Sequence, residues 1–115
     1  MSTVELKEFV VSALEALKGH DIQVLDVRKL TTVADYMVIA SGTSNRQVKA
    51  LANEVIERCE AAGYRTLGVE GESYGEWVLV DMGDVVAHIM LPQVRAFYNL
   101  EKLWNIPSAQ GVKEQ

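Results

Sequence analysis

Several residue types that support catalysis or cross-linking are scarce in this chain. Among its 115 residues there is one cysteine, Cys59, and there are two histidines, His20 and His88. A single cysteine excludes an internal disulfide, which suits a reducing compartment. Two histidines far apart in the chain, with no second cysteine, do not make the clustered ligand set of a metal site. We therefore expect neither a metal nor any other cofactor.

Long apolar runs and basic clusters are missing as well. No segment approaches the roughly 18 uninterrupted apolar residues of a membrane span, and residues 1–5 show no basic region followed by an apolar run. The 11 lysines and arginines are scattered and outnumbered by 16 acidic residues, which leaves a formal net charge of −5. Phosphate binding calls for a basic patch, so we expect little or no direct nucleic-acid recognition. We expect a cytoplasmic protein with no membrane contact, whose acidity suits a basic protein partner.

The apolar residues that are present, 49% of the chain, are enough for one core, and 115 residues leave no room for a second. We expect one domain over residues 1–104. The polar stretch over residues 105–115 contains Pro107 and Gly111, and we expect it to be a disordered tail.

Three segments have helical periodicity. The first has the spacing of a capping box at Ser2 and Glu5 and should end at Gly19. The second should begin at a similar box, Ser44 and Gln47. The third follows Pro92, over residues 93–104. The apolar positions of the first two helices each form one stripe, which predicts packing on a sheet: Leu6, Phe9, Val10, Ala13, Leu14 and Leu17, then Val48, Leu51, Ala52, Val55, Ile56 and Cys59.

Five further segments are typical of strands: 22–27, 35–41, 64–69, 76–82 and 85–90. The element order αββαβββα predicts an α/β (α+β) protein with a single mixed five-stranded sheet. The second strand, the second helix and the third strand should form a right-handed crossover with parallel strands. The last two strands nearly touch and should form an antiparallel hairpin. With only three helices, one face of the sheet should be incompletely covered.

The final hairpin lets its two faces be separated. With a two-residue loop, one face carries only small aliphatic side chains, which suits packing under helices. The other face carries Trp77, Leu79 and Asp81 together with His88 and Met90. Such a mixture suits a contact patch better than a dry core, because large amphipathic side chains supply most hot spots of protein interfaces. Each residue also has a purely structural interpretation: Trp77 as a lid on the core, His88 as a hydrogen-bonded core residue and Asp81 as part of the turn.

One motif could support phosphate binding or enzymatic activity, and its signal is weak. Residues 41–44, Ser-Gly-Thr-Ser, lie between a strand and a helix, where backbone N–H groups can bind an anion. A P-loop would end in Gly-Lys followed by Ser or Thr, whereas here Asn45 and Arg46 follow. As a catalytic nucleophile, Ser44 would need a base nearby, and none is obvious in the sequence. A role as helix cap explains a serine at this position. We expect no enzymatic activity, and a nucleotide-binding or nucleotidyltransferase-like enzyme is kept as the alternative.

Four separated strings together resemble the ribosomal silencing factor (Iojap-like, RsfS-like) family. They are DYMVIASGTS at 35–44, EG at 70–71, WVLVDMGDVVAH at 77–88 and RAFYNLEKLW at 95–104. The resemblance extends from about Leu6 to Trp104. It implies a nucleotidyltransferase-like scaffold, but the Asp-x-Asp carboxylates of those enzymes are absent here.

The resemblance also implies a function. Members bind the large ribosomal subunit through its ribosomal protein number fourteen and so block joining of the small subunit; some also act in large-subunit assembly. Carried onto this sequence, the contact surface comprises Trp77, Leu79, Asp81, His88 and Met90, with Glu70 and Glu72 at its rim. The segment 95–104 is expected to pack rather than to bind, with the role of Arg95 left open. A homodimer or self-associating interaction module that uses the same patch remains a second alternative.

Overall fold

The computed structural model describes residues 3–99, and the predicted order αββαβββα is present. The helices and strands are α1 Thr3–Ala16, β1 His20–Asp26, β2 Tyr36–Ser41, α2 Asn45–Ala61, β3 Gly68–Glu70, β4 Trp77–Asp81, β5 Val85–Met90 and α3 Pro92–Tyr98. Ser2 and the tail expected over residues 105–115 lie outside the described residues. None of the helices in this range is long and apolar enough to cross a membrane.

The five strands form one mixed sheet in the order β1-β2-β5-β4-β3. The β2–β5 pair is parallel, and the other three pairs are antiparallel. The predicted fold class is therefore confirmed. β3 does run in the same direction as β2, as the crossover interpretation requires, but β5 and β4 lie between them. Strand β3 is only three residues long and begins at Gly68, later than the predicted residue 64.

One face of the sheet is covered by α1 and α2 and contains the main core. The buried stripes of the two helices meet the aliphatic residues of β2, β4 and β5 there. Leu14, Leu51 and Ile89 are among the side chains with no exposed surface. Each such side chain contributes roughly 1.5–3 kcal/mol by leaving water. Cys59 belongs to this core, as its place on the apolar stripe predicts.

The junction of α1 and β1 differs in detail from the prediction. The helix ends at Ala16, and Lys18, not Gly19, adopts the left-handed conformation, with φ +62°. Gly19 lies next in the chain and donates its N–H to the carbonyl of Leu14 over 2.8 Å. The side chain of Gln47 also holds this turn, because its amide nitrogen donates to the carbonyls of Leu17 and Lys18. A long-range contact thus supports a conformation that is otherwise unfavourable for lysine.

The opposite face of the sheet is covered less completely. A second, smaller cluster lies there, formed by Val27, Met37, Ile39 and Met90, with Trp77 and Val94 packed against it. Short helix α3 covers this cluster in part. Arg95 of α3 is buried and donates to the Ser41 hydroxyl over 2.9 Å and to the carbonyl of Asp21 over 2.7 Å. These bonds fasten α3 to the β1–β2 side of the sheet.

Candidate functional site

The final hairpin has the register that separates its faces as predicted. Trp77 lies opposite Met90, Leu79 opposite His88 and Asp81 opposite Val86. The loop is the two-residue connection Gly83-Asp84, closed by a hydrogen bond from the N–H of Met82 to the carbonyl of Val85 over 3.0 Å. The aliphatic face lies under α1 and α2, and the mixed face points to the thinly covered side. The prediction that depended on a two-residue loop is therefore confirmed.

Trp77 is half-buried on this mixed face and is held from two sides. Its indole Nε1–H donates to Nδ1 of His88 over 2.9 Å, and the two rings are tilted at 5.8 Å between centroids. The ring of Tyr98, from α3, lies 5.0 Å away. A tryptophan with its polar atom satisfied and part of its ring in water has the usual character of an interface anchor.

His88 lies deeper than a contact residue would. Only 7% of its surface is exposed, and burial lowers the pKa of its imidazole from 6.5 to about 4. The ring is therefore neutral near pH 7, which fits its role as acceptor for Trp77. Its position supports the structural interpretation of His88 and leaves it only a small surface for a partner.

Met90 is a correction to the expected contact set. It has no exposed surface and packs with Val27, Met37 and Ile39 in the smaller cluster. It points to the mixed face, as the alternation predicted, but α3 and the start of β4 cover it. Met90 therefore belongs to the cluster on which Trp77 packs, and it has no exposed surface that a partner could contact in this conformation.

An open groove of about 280 Å³ runs beside Trp77, and Glu70, Gly71, Trp77 and Leu79 line it. Glu70 ends β3, at the edge of the sheet, and Glu72 follows in the exposed loop; their place at the rim of a contact surface stays a prediction. Gly71 has φ +83°, and a Cβ there would lie 2.1 Å from the carbonyl oxygen of Trp77. Only glycine lets the loop pass this close to the strand.

Asp81 lies at the far end of the hairpin face and is half-buried. One carboxylate oxygen accepts the N–H of Gly83 over 2.9 Å, so the residue shapes the turn. The other oxygen makes no hydrogen bond within residues 3–99. Asp81 thus has a structural role in the turn and lies on the same face as Trp77, with one oxygen left unbonded by the described residues.

Two aromatic residues of this surface were not predicted. Phe97 is 80% exposed and Tyr98 is 55% exposed, and their ring centroids are 5.0 Å apart. The expectation that this segment only packs is wrong for these two residues, whereas Arg95, whose role was left open, is buried. The predicted helix was also too long: α3 ends at Tyr98, where Asn99 adopts the left-handed conformation, and positions 100–104 lie outside the described residues.

Polar groups of the Ser-Gly-Thr-Ser turn form hydrogen bonds within the protein. The N–H of Gly42 donates to the carbonyl of Met90, and the N–H of Thr43 donates to Oε1 of Gln47 over 2.7 Å. The Ser44 hydroxyl accepts from the N–H of Gln47, as the capping interpretation predicted. A Cβ on Gly42 would lie 2.9 Å from the Val48 side chain, so this glycine serves helix packing. The turn is explained without a bound anion.

The fold and the surface together define a class: a small protein with a mixed five-stranded sheet and an aromatic, acid-rimmed patch on the final hairpin and α3. The whole chain, residues 1–115, matches the family described as "Ribosomal silencing factor during starvation". The chain belongs to the ribosomal silencing factor family.

Individual relatives agree with this assignment. The chain is 52% identical to "Ribosomal silencing factor RsfS" of Chromobacterium violaceum over 90% of its own length and 85% of that protein. It is 36% identical to "Mitochondrial assembly of ribosomal large subunit protein 1" of Mus musculus, over 88% of its own length and 46% of that protein. A crystal structure of a Chromobacterium violaceum protein, 51% identical, superposes with a TM-score of 0.90 and covers 91% of this chain and 88% of that one.

Proposed function

We propose that this protein represses translation by binding the large ribosomal subunit through ribosomal protein number fourteen and blocking the joining of the small subunit. Membership of the ribosomal silencing factor family supports a ribosomal role. The name of the mouse relative, which refers to assembly of the large subunit, supports the same subunit as the target and an additional role in assembly. The mechanism is steric, so it requires binding energy and bulk but no chemical step.

The observation that carries the proposal is the patch around Trp77. A tryptophan that is half-buried, flanked by Tyr98 and held by His88 is a rigid anchor, and such anchors supply a large share of binding energy. Leu79 continues the apolar surface along the groove. Glu70 and Glu72 place negative charge at the rim, where it speeds encounter with a basic protein.

The proposal is tested by co-sedimentation of the purified protein with isolated large and small ribosomal subunits. We expect the wild-type protein to bind the large subunit only. Trp77→Ala should weaken binding by about 2 kcal/mol or more, roughly thirtyfold. A light-scattering assay of subunit joining should show inhibition by the wild-type protein, and the variant should need roughly thirtyfold more protein for the same inhibition.

Tyr74→Ala is the matched control for loss of an exposed aromatic ring. Tyr74 is 79% exposed, and its carbonyl accepts from the side chain of Asn45, at the start of α2, the helix that packs on the opposite face of the sheet. This variant should bind as the wild type does. Equal binding by Trp77→Ala would leave the ribosomal role standing and move the contact surface elsewhere. Failure of the folded wild-type protein to bind large subunits would refute the proposal.

A further inference from the structure

The one hydrogen-bond donor of the Trp77 side chain is already used within the protein. Its Nε1–H points to Nδ1 of His88 on the neighbouring strand, at 2.9 Å. His88 lies opposite Leu79, so the bond runs diagonally across the hairpin, between positions two residues apart in register. A partner that docks on this face meets the ring of Trp77 but cannot use its N–H.

The same bond defines the form of the imidazole. A nitrogen that accepts a hydrogen bond carries no proton, so the proton of neutral His88 is on Nε2. Burial favours the neutral ring and holds the pKa near 4. No side-chain nitrogen or oxygen in the described part of the chain is both sealed from solvent and without a hydrogen-bond partner. The Nε2–H form is therefore compatible with its surroundings.

The ring of Trp77 is fixed by contacts on two sides. His88 holds its polar edge, and Tyr98 contacts it at 5.0 Å from α3. Without the acceptor at Nδ1, the indole N–H would lose its partner within the protein, and the ring would gain by rotating its N–H towards water. A rotated ring would no longer present the same surface beside the groove.

We propose that His88 is a positioning residue for partner binding: as the Nε2–H tautomer it orients Trp77, so that the partner is recognised through the ring surface and not through an indole hydrogen bond. This inference rests on the proposed function and specifies how the same surface recognises its basic protein partner. It assigns to His88 an effect that is transmitted through Trp77 rather than through a contact of its own.

The chain offers a matched pair of substitutions. Asparagine places its Oδ1 near the position of Nδ1, so His88→Asn keeps an acceptor for the indole N–H. His88→Leu has similar bulk and no acceptor. In titrations of purified large subunits, we expect His88→Asn to bind within about threefold of the wild type and His88→Leu to bind about tenfold more weakly, as the loss of one hydrogen bond predicts.

A double-mutant cycle separates positioning from direct contact. Trp77→Phe removes the indole N–H, so His88→Leu should have less than about a twofold effect in that background. A spectroscopic readout in the free protein accompanies it: the indole N–H of Trp77, one of two tryptophans, should exchange with solvent as slowly in His88→Asn as in the wild type and faster in His88→Leu. Trp77→Phe identifies the resonance.

Two results would overturn the inference while leaving the proposed function intact. One is an equal loss of binding in His88→Asn and His88→Leu. The other is an undiminished effect of His88→Leu in the Trp77→Phe background, which would mean that His88 acts on the partner by itself. Wild-type protein that does not bind large subunits would overturn the proposed function and this role with it.

Discussion

Mild acid should destabilise this protein through His88. The imidazole is buried, and burial lowers its pKa from 6.5 to about 4; within residues 3–99 no charged side chain contributes to the shift. The unfolded chain therefore binds a proton at this residue below pH 6.5, while the folded chain stays neutral until about pH 4. Stability must fall as the pH decreases through this window, because the unfolded state binds more protons.

The two pKa values set the size of the effect. At pH 5 the difference in proton binding corresponds to about 2 kcal/mol of unfolding free energy, and below pH 4 it approaches about 3 kcal/mol. A small domain has about 5–15 kcal/mol in total, so the loss should be easy to measure.

Urea unfolding at pH 7.5 and pH 5, followed by circular dichroism, tests the prediction. His88→Asn serves as the reference, since it retains all carboxylates and lacks the titrating ring. The free energy of unfolding should fall between the two pH values by about 2 kcal/mol more in the wild type than in the variant. Equal losses in the two proteins would refute the reasoning and would mean that the ring is better solvated than its burial indicates.

Two further outcomes follow from the structure. Gly71→Ala forces a side chain into a left-handed conformation against the carbonyl of Trp77, so it should lower stability by about 2 kcal/mol or more in urea unfolding. Gly68→Ala, where a Cβ would meet nothing within 4 Å, should leave stability nearly unchanged, and equal effects of the two would contradict the steric explanation. Burial raises the pKa of the Cys59 thiol from 9.0 to about 11, and the side chain has no exposed surface. At pH 8 its reaction with a disulfide reagent should be at least about a hundredfold slower in the native protein than in urea, and rapid native labelling would contradict its place in the core.

Much of the fold follows from local sequence rules. The stripes of α1 and α2 have helical period, and the residues that alternate in β4 and β5 have strand period, so both the elements and their inner faces could be assigned in advance. The two-residue connection at Gly83 fixes the register of the hairpin, and the register decides which side chains share the face of Trp77. Family-like strings then pointed to the same face.

Tertiary structure alone decided the rest. Nothing local specifies that β5 inserts between β2 and β4, because strand order depends on which partners bury the most surface together. The alternation put Met90 on the mixed face but could not show that α3 covers it, and the apolar spacing of α3 could not show that Phe97 and Tyr98 remain in water. Lys18, not the adjacent glycine, takes the left-handed position, and its own carbonyl accepts from the side chain of Gln47, 29 residues away. The bond between Trp77 and His88 likewise depends on two strands meeting in one register, so a periodic pattern can place both residues on a face without revealing that one holds the other.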